Sequence, residues 1–268
     1  MSASALKIAT LVSIGQHPAS GRARCADTDS RALSLAARLA AGNAGVSLQV
    51  LHAGPVSDPV NSEVLRRYLG MGLSNLELID QPADADVVPA LTERLQNRDV
   101  DIILTGTRAE TGEASGMTPY ALAEALGMPM VPAVVGMTPQ QNGEVEILQA
   151  LPRGQRRRLR VKVPFVASVD AAAPESAQFA WARGQRGNLG WVSARSEHDT
   201  VMGEAEVAPA RKRPKRIAGA KKTASAAERF KAATAKPAGK GGVVMVQESA
   251  EEKAQALYQF LIEQGAIK

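Results

Sequence analysis

The sequence predicts an α/β fold: a Rossmann-like, open, twisted, mostly parallel sheet with helices on both faces, followed by an extended C-terminal arm and a terminal helix. Short aliphatic runs alternate with segments of helical spacing as far as Leu126, which is the pattern of strands joined by helices. Glycine and proline punctuate the junctions between them. The 45% apolar content of the 268 residues includes only 3% aromatics, so the core is packed by Ala, Val, Leu and Ile.

Leu6 to Ile14 reads as a buried first strand, because aliphatic residues dominate it until Gly15-Gln16-His17-Pro18 breaks the run. From Asp29 onward, Ala32, Leu33, Leu35, Ala36, Leu39 and Ala40 recur at helical spacing and stop at Gly42-Asn43, with Asp27 or Asp29 available as N-cap. Val46 to His52 is the second strand, closed by Ala53-Gly54-Pro55. Val60, Val64, Leu65, Tyr68 and Leu69 form a helical stripe ending at Gly70 and Gly72, and Leu76 to Ile79 is a short third strand. Val87 to Leu95 is a helix, and Val100 to Thr105 is a fourth strand running into the glycine-interrupted loop Gly106 to Met117. Strands separated by helices need crossovers of one hand, so these four pack as a parallel sheet. Thr118 to Leu126 continues as a helix, and Val131 to Met137, Glu144 to Leu148, Leu159 to Val163 and Phe165 to Val169 are later strands.

Regularity fades after Asp170. Pro174 to Gly190 sets Phe179, Trp181 and Leu189 among polar and glycine residues and reads as an ordered loop or short helix rather than a sheet strand. Glu197 to Gly242 has few large apolar groups to offset its ordering entropy and reads as a tether or extended wrap. Ser249 opens a last helix, with Glu251 and Glu252 in its first turn and a stripe of Ala256, Leu257, Phe260 and Leu261 that needs a docking surface.

Composition narrows the function. Cys25 is the single cysteine, which excludes an internal disulfide or a cysteine-built metal cluster. His17, His52 and His198 are scattered and read as ordinary surface or packing residues. No Ser-His-Asp, Cys-His or metal-ligand arrangement can be picked out, so catalysis within this chain ranks low. No uninterrupted apolar run of about 18 to 20 residues and no signal-peptide pattern occurs, and a cytoplasmic location without membrane insertion is expected. Between Pro209 and Gly242 eleven Lys or Arg face the single acid Glu228, a local balance of +10 that leaves −5 for the remainder of a chain whose total is +5. Arg211-Lys212-Arg213-Pro214-Lys215-Arg216 could neutralise phosphates. The absence of interleaved aromatics and the acidic remainder argue against nucleic acid as the partner.

Open parallel sheets bind ligands outside the carboxyl ends of their strands. After the fourth strand comes Gly106-Thr107-Arg108-Ala109-Glu110-Thr111-Gly112-Glu113-Ala114-Ser115-Gly116-Met117-Thr118 and then a helix. Glycines let amides close on a phosphate, Ser115 and Thr118 offer hydroxyls, and the first free amides of the helix add positive partial charge. The same loop is also compatible with a mobile surface segment before a capped helix. Neither GxGxxG nor a Gly-Lys-Ser/Thr ending is present.

Taken in order, Val100-Asp101-Ile102-Ile103-Leu104-Thr105-Gly106, Gly116-Met117-Thr118-Pro119 and Ala123-Glu124-Ala125-Leu126-Gly127 resemble the core stretch of electron-transfer flavoprotein beta subunits, as a divergent bacterial member. Leu48 to Leu51 running into Gly54-Pro55, Leu69-Gly70-Met71-Gly72, and Val163-Pro164-Phe165-Val166-Ala167-Ser168-Val169-Asp170 agree with it. The resemblance spans residues 6 to 190 and returns in the terminal helix. It implies a heterodimer with an alpha subunit that carries most of the FAD contacts, electrons arriving from a flavin-dependent dehydrogenase and leaving to a membrane quinone oxidoreductase. It implies a structural AMP in this subunit, held by Leu11, Ala26, Asp27, Thr28, Asp29, Ala53, Gly106, Arg108, Ser115, Gly116, Met117 and Thr118. Electron-bifurcating relatives carry a second FAD instead. By the same likeness Pro174 to Trp181 is the partner-recognition loop, with Phe179 as anchor and Trp181 beside it. The implied organisation is a nucleotide-binding domain at 1–195 that includes recognition loop 174–190, a basic linker at 196–248 and a docking helix at 249–268. Departures are local: Glu110-Thr111-Gly112-Glu113 replaces an aspartate-rich stretch, and Ala26-Asp27 replaces Asn-Pro. The competing reading is a soluble adenine-nucleotide sensor without a redox role.

Overall fold

A computed structural model describes residues 6–55, 58–96, 98–206, 208, 225, 227, 245–263 and 267, and the chain divides into two units, Met1–Val207 and Ala208–Lys268. The first unit runs β1 (Leu6–Leu11), β2 (Ile14–Gln16), β3 (Ala23–Cys25), α1 (Asp27–Gly42), β4 (Val46–Gly54), α2 (Pro59–Gly70), β5 (Asn75–Asp80), β6 (Ala85–Asp86), α3 (Val87–Gln96), β7 (Ile102–Gly106), α4 (Thr118–Leu126), β8 (Met130–Pro139), β9 (Glu144–Ala150), β10 (Arg156–Lys162), β11 (Phe165–Val169), α5 (Trp181–Arg186), β12 (Asn188–Ser193), β13 (Glu197–His198) and α6 (Thr200–Glu204). Nine strands form one sheet in the order β10-β9-β8-β11-β7-β1-β4-β5-β12. Neighbours from β8 to β12 are parallel, and β9 is antiparallel to both β8 and β10. The predicted mostly parallel α/β sheet is the one observed.

Alternation along β1 decides the layers. Ile8 packs with Leu35 and Ala36 of α1 and with Ile102, Leu104 and Phe165, and Val12 extends that face to Leu65, Tyr68 and Leu69 of α2. Ala9 and Leu11 point the other way, into Leu91 and Leu95 of α3 and Leu122 of α4. Truncating a fully buried residue such as Ile103 to Ala costs about 2–5 kcal/mol, because a cavity adds to the lost transfer energy. Chain order then places a cleft. From β1 the chain moves outward through β4 and β5 and returns to β7 on the opposite side of β1, so connections diverge at the carboxyl ends of β1 and β7.

The structure corrects four local expectations. β1 ends at Leu11 rather than Ile14, because Ser13 turns to the Asp29 carboxylate and Ile14–Gln16 folds back on Ala23–Cys25 as a hairpin. Neither Asp27 nor Asp29 is the N-cap of α1. Ala26 holds that position without a side-chain cap, since Glu110 reaches in from the loop after β7. The segment expected to lack a strand ends in one, for Leu189 and Gly190 lie in β12, paired along its length with β5; Asn188, Gly190 and Ser193 blur a pattern that an edge position tolerates. The expected tether opens with structure, β13 pairing with β6 while the Asp199 amide donates to Asp84 O, followed by α6. The basic run at 209–242 lies outside the described residues, Ser225 and Ala227 apart.

At the far end of the sheet, β10 points Leu159 and Val161 to the core and leaves Arg156, Arg158, Arg160 and Lys162 exposed along its other side. In the second unit, α7 (Ala250–Glu263) starts with a reciprocal cap: Ser249 Oγ accepts from Glu252 N at 3.3 Å, and the Glu252 carboxylate accepts the Ser249 amide at 2.8 Å. Leu257, Tyr258 and Phe260 of α7 are each more than half exposed. Among the described residues no helix is long and apolar enough to cross a membrane.

Candidate functional site

The first amides of a helix have no acceptor within it, and at α1 other parts of the chain meet them. Tyr68 of α2, fully buried, accepts the Ala26 amide at 2.8 Å and donates to Ser13 O at 2.9 Å, pinning the end of β1 to the start of α1. Glu110 Oε1 accepts the Asp27 amide at 2.8 Å and Oε2 accepts the Gln16 amide at 3.0 Å. Arg24 pairs with both oxygens, through Nε at 3.1 Å and Nη2 at 3.0 Å. Asp29 points to the sheet: Oδ2 accepts from Ser13 N at 2.8 Å and Ser13 Oγ at 2.5 Å, and Oδ1 accepts from Gly106 N at 3.0 Å. One carboxylate thus joins the ends of β1 and β7. Burial pushes the Asp29 carboxyl from 3.8 up to about 6, against the hydrogen bonds from Ser13 and Gly106 that favour its anion. Gly106 is required here, since a Cβ would strike Asp29 Oδ1 and Thr28 Oγ1.

Beside this floor a cleft opens at the carboxyl ends of β1, β4 and β7. Leu11, Val12 and Leu51 from strand ends and Val87 and Leu91 from α3 give it apolar walls. His52 also lines it, with Nδ1 bonded to Val12 O at 2.8 Å. A carbonyl only accepts, so Nδ1 carries the proton and Nε2 is a lone pair, buried and, among the described residues, without a partner. Burial lowers the imidazole pKa, which keeps the ring neutral. A Cβ at residue 54 would lie 2.9 Å from Nε2, so Gly54 leaves the space around that lone pair. Arg108 is exposed on the rim, and among the described residues it has no carboxylate partner.

A model of the electron transfer flavoprotein domain matches residues 19–188. The electron transfer flavoprotein subunit beta of Chromohalobacter salexigens is 43% identical over 264 residues, 98% of this chain and 97% of that one. The chain belongs to the electron transfer flavoprotein family. It is accordingly an electron-carrier subunit of the beta type rather than a stand-alone enzyme.

Of the positions that the likeness to electron transfer flavoproteins singled out, Leu11, Asp29, Ala53, Gly106, Arg108 and Thr118 come together on the cleft. Ala26, Asp27 and Thr28 stand behind it at the start of α1, where Ala26 is wholly buried and Asp27 pairs with Arg31 at 3.0 Å. Ser115, Gly116 and Met117 shape the loop instead of lining the cleft. Ser115 Oγ accepts the Met117 amide at 3.1 Å, Gly116 takes φ +78° with Thr107 O 3.0 Å from where a Cβ would sit, and Met117 is 57% exposed. Ser13, His52, Thr105, Val87 and Leu91 line the cleft without having been singled out. Ser13 was hidden inside an expected strand, while His52 carried a usable signal, being the last residue of the expected second strand and next to Ala53.

Phe179 and Trp181 form a separate exposed pair. Ala180 N donates to Gly70 O at 2.9 Å, and Arg66 Nη1 reaches the carbonyls of Gly184, Gln185 and Gly187 at 3.4, 3.3 and 3.5 Å, so α5 is seated on α2. Gly184 lies so close to Arg66 O that a Cβ there would overlap it. The Arg67 guanidinium stands 5.8 Å from the Phe179 ring centre. Among the described residues no cluster of three or more His, Cys, Asp or Glu could hold a metal. Burial pushes the Cys25 thiol up to about 12, which removes it as a nucleophile.

Proposed function

We propose that this chain pairs with an alpha subunit as the beta half of a heterodimeric electron carrier, taking electrons from a flavin-dependent dehydrogenase and delivering them to a membrane quinone oxidoreductase, in the cytoplasm. The observation that carries this reading is the near-full-length likeness to an electron transfer flavoprotein subunit beta. FAD, held mainly by the alpha subunit, supplies the redox chemistry, and no residue of this chain reacts.

The cleft's residues suit AMP as a structural ligand. Leu11, Leu51, Val87 and Leu91 offer apolar surface to an adenine ring. His52 Nε2 is an acceptor for an amino or hydroxyl hydrogen of the nucleotide. Arg108, with the first turn of α4 at Thr118, supplies positive charge for the phosphate. Phe179 and Trp181, 47% and 71% exposed, are the apolar anchors offered to the dehydrogenase, the kind of residue that dominates a binding hot spot. The exposed Leu257, Tyr258 and Phe260 of α7 dock on the alpha subunit, tethered by the 196–248 linker.

Co-expression with the alpha subunit tests the reading. The expected product is a yellow heterodimer whose released ligands, weighed by mass spectrometry, are FAD and AMP. Failure to co-purify, or a colourless chain that binds nucleotide alone, would favour a nucleotide sensor.

A further inference from the structure

Several arginines of the first unit are neutralised by carboxylates: Arg24 by Glu110, Arg31 by Asp27, Arg67 by Glu63, and Arg94 and Arg98 by Glu77. Arg157 of β10 is held differently. Gln149 of β9, only 5% exposed, donates through Nε2 to Pro132 O at 2.8 Å. Its Oε1 is thereby turned to Arg157 and accepts from Nε at 3.0 Å and from Nη2 at 2.7 Å. A neutral amide thus orients the exposed guanidinium and leaves its charge uncompensated. The Nε edge of the fork is occupied, while Nη1 has no partner among the described residues. The outer edge, Nη1 with the second proton of Nη2, has the geometry that takes a carboxylate through two parallel bonds.

The surroundings carry the same sign. Residues 151–164 include Arg153, Arg156, Arg157, Arg158, Arg160 and Lys162 and no acid. Register sets Arg156, Arg158, Arg160 and Lys162 opposite Ala150, Leu148, Glu146 and Glu144, and of these cations only Arg158 is within ion-pair distance of a carboxylate among the described residues, Glu146 at 3.4 Å. The core under α3 and α4 includes Met130 of β8 but nothing of β9 or β10, so among the described residues that face of the hairpin has no helix over it. Position separates the hairpin from the Phe179 surface. Val134 pairs with both Gln149 and Val169, and Val169 with Gly106, which sets Arg157 level with the carboxyl end of β7, about 19 Å along the same rim. Phe179 packs near Gly70 of α2, whose neighbour Leu69 meets Gly187 just before β12. β12 and β10 are opposite ends of the sheet, about 38 Å apart. A protein anchored at Phe179 would have to span the whole sheet to touch Arg157.

We propose that the β9–β10 hairpin is a docking surface for the alpha subunit, with Arg157 pairing to a carboxylate of that subunit and the cationic outer face meeting further acids around it. The proposal rests on the heterodimer reading and adds where the partner sits and what chemistry it carries there. No aromatic residue lies between Glu144 and Lys162, so this contact is set by charge rather than by an apolar anchor.

Two measurements on the full-length heterodimer test it. In subunit exchange, Arg157→Gln should raise the dissociation constant by about tenfold or more, with a smaller effect at high salt. Replacing Arg156, Arg158 and Arg160 together by Gln should slow association by about tenfold and flatten its salt dependence. In Arg157→Lys, a carbodiimide should join the introduced amine to an Asp or Glu of the alpha subunit, read by peptide mass spectrometry. An unchanged dissociation constant in Arg157→Gln with a wild-type melting midpoint, or an introduced amine that joins nothing in the alpha subunit, overturns the proposal and leaves the heterodimer standing. Weakened binding to the dehydrogenase or to phosphatidylglycerol vesicles in Arg157→Gln, with the heterodimer unaffected, overturns it as well. A wild-type chain that forms no heterodimer overturns both readings.

Discussion

Asp29 carries opposed effects that a pH series can separate. Desolvation raises its carboxyl from 3.8 to about 6, above what its hydrogen bonds to Ser13 and Gly106 can restore, and the difference is worth about 3 kcal/mol in favour of the protonated form. Between those values the folded chain holds a proton that the unfolded chain releases. The Asp29 contribution to stability is therefore fully present below about pH 4 and is withdrawn as pH rises through 6. The stability of wild type relative to Asp29→Asn should fall by about 2 kcal/mol from pH 4 to pH 7 in urea unfolding; a difference that stays constant would refute the raised carboxyl. Tyr68→Phe leaves the Ala26 amide and Ser13 carbonyl unpaired in the interior, so about 1–3 kcal/mol of stability should be lost, read as a lower midpoint. At this scale the sequence was partly legible. Gly106 ends β7 and Thr118 begins α4, junctions that periodicity locates, whereas Leu11 and Ala53 were reached through the family likeness alone. The bonds that build the floor join residues 16 positions apart, Ser13 to Asp29, and 83 apart, Asp27 to Glu110, and no local spacing encodes such pairs.

Among the elements, those buried on both faces were the easiest to read. β7 and β11 are buried at every position and appear in the sequence as mostly apolar runs without a charged residue, as parallel strands under helices do. The β2–β3 hairpin and β12 were not legible, because short or polar strands acquire their conformation from the neighbour they pair with. The loop into α5 shows the same dependence. Its seat on α2 needs Gly70 and Gly184, where backbone approaches backbone more closely than a Cβ permits, and from that seat Phe179 is presented outward. Phe179→Ala should keep the seat and remove the proposed anchor. Electron delivery from the dehydrogenase should slow by about tenfold or more, the scale of a lost hot-spot side chain, with the flavin content of the heterodimer unchanged. Stopped-flow reduction measures the first and absorbance the second; equal rates would remove Phe179 from the recognition surface.

For the molecule as a whole, the division at Ala208 separates the sheet unit from a second unit whose described helix leaves large apolar side chains exposed. Removing 209–268 should weaken heterodimer formation by about 10²-fold, the lower range for the loss of one tethered contact, and pull-down against the alpha subunit checks it; undiminished recovery would argue that the arm does not hold the partner. The cationic border formed by β10 acts at this scale too. A twin molecule bringing its own β10 against that border would set guanidinium and ammonium groups against their own kind, which disfavours splicing two sheets through their β10 edges. Crowded copies of the chain are thus discouraged from joining through that rim.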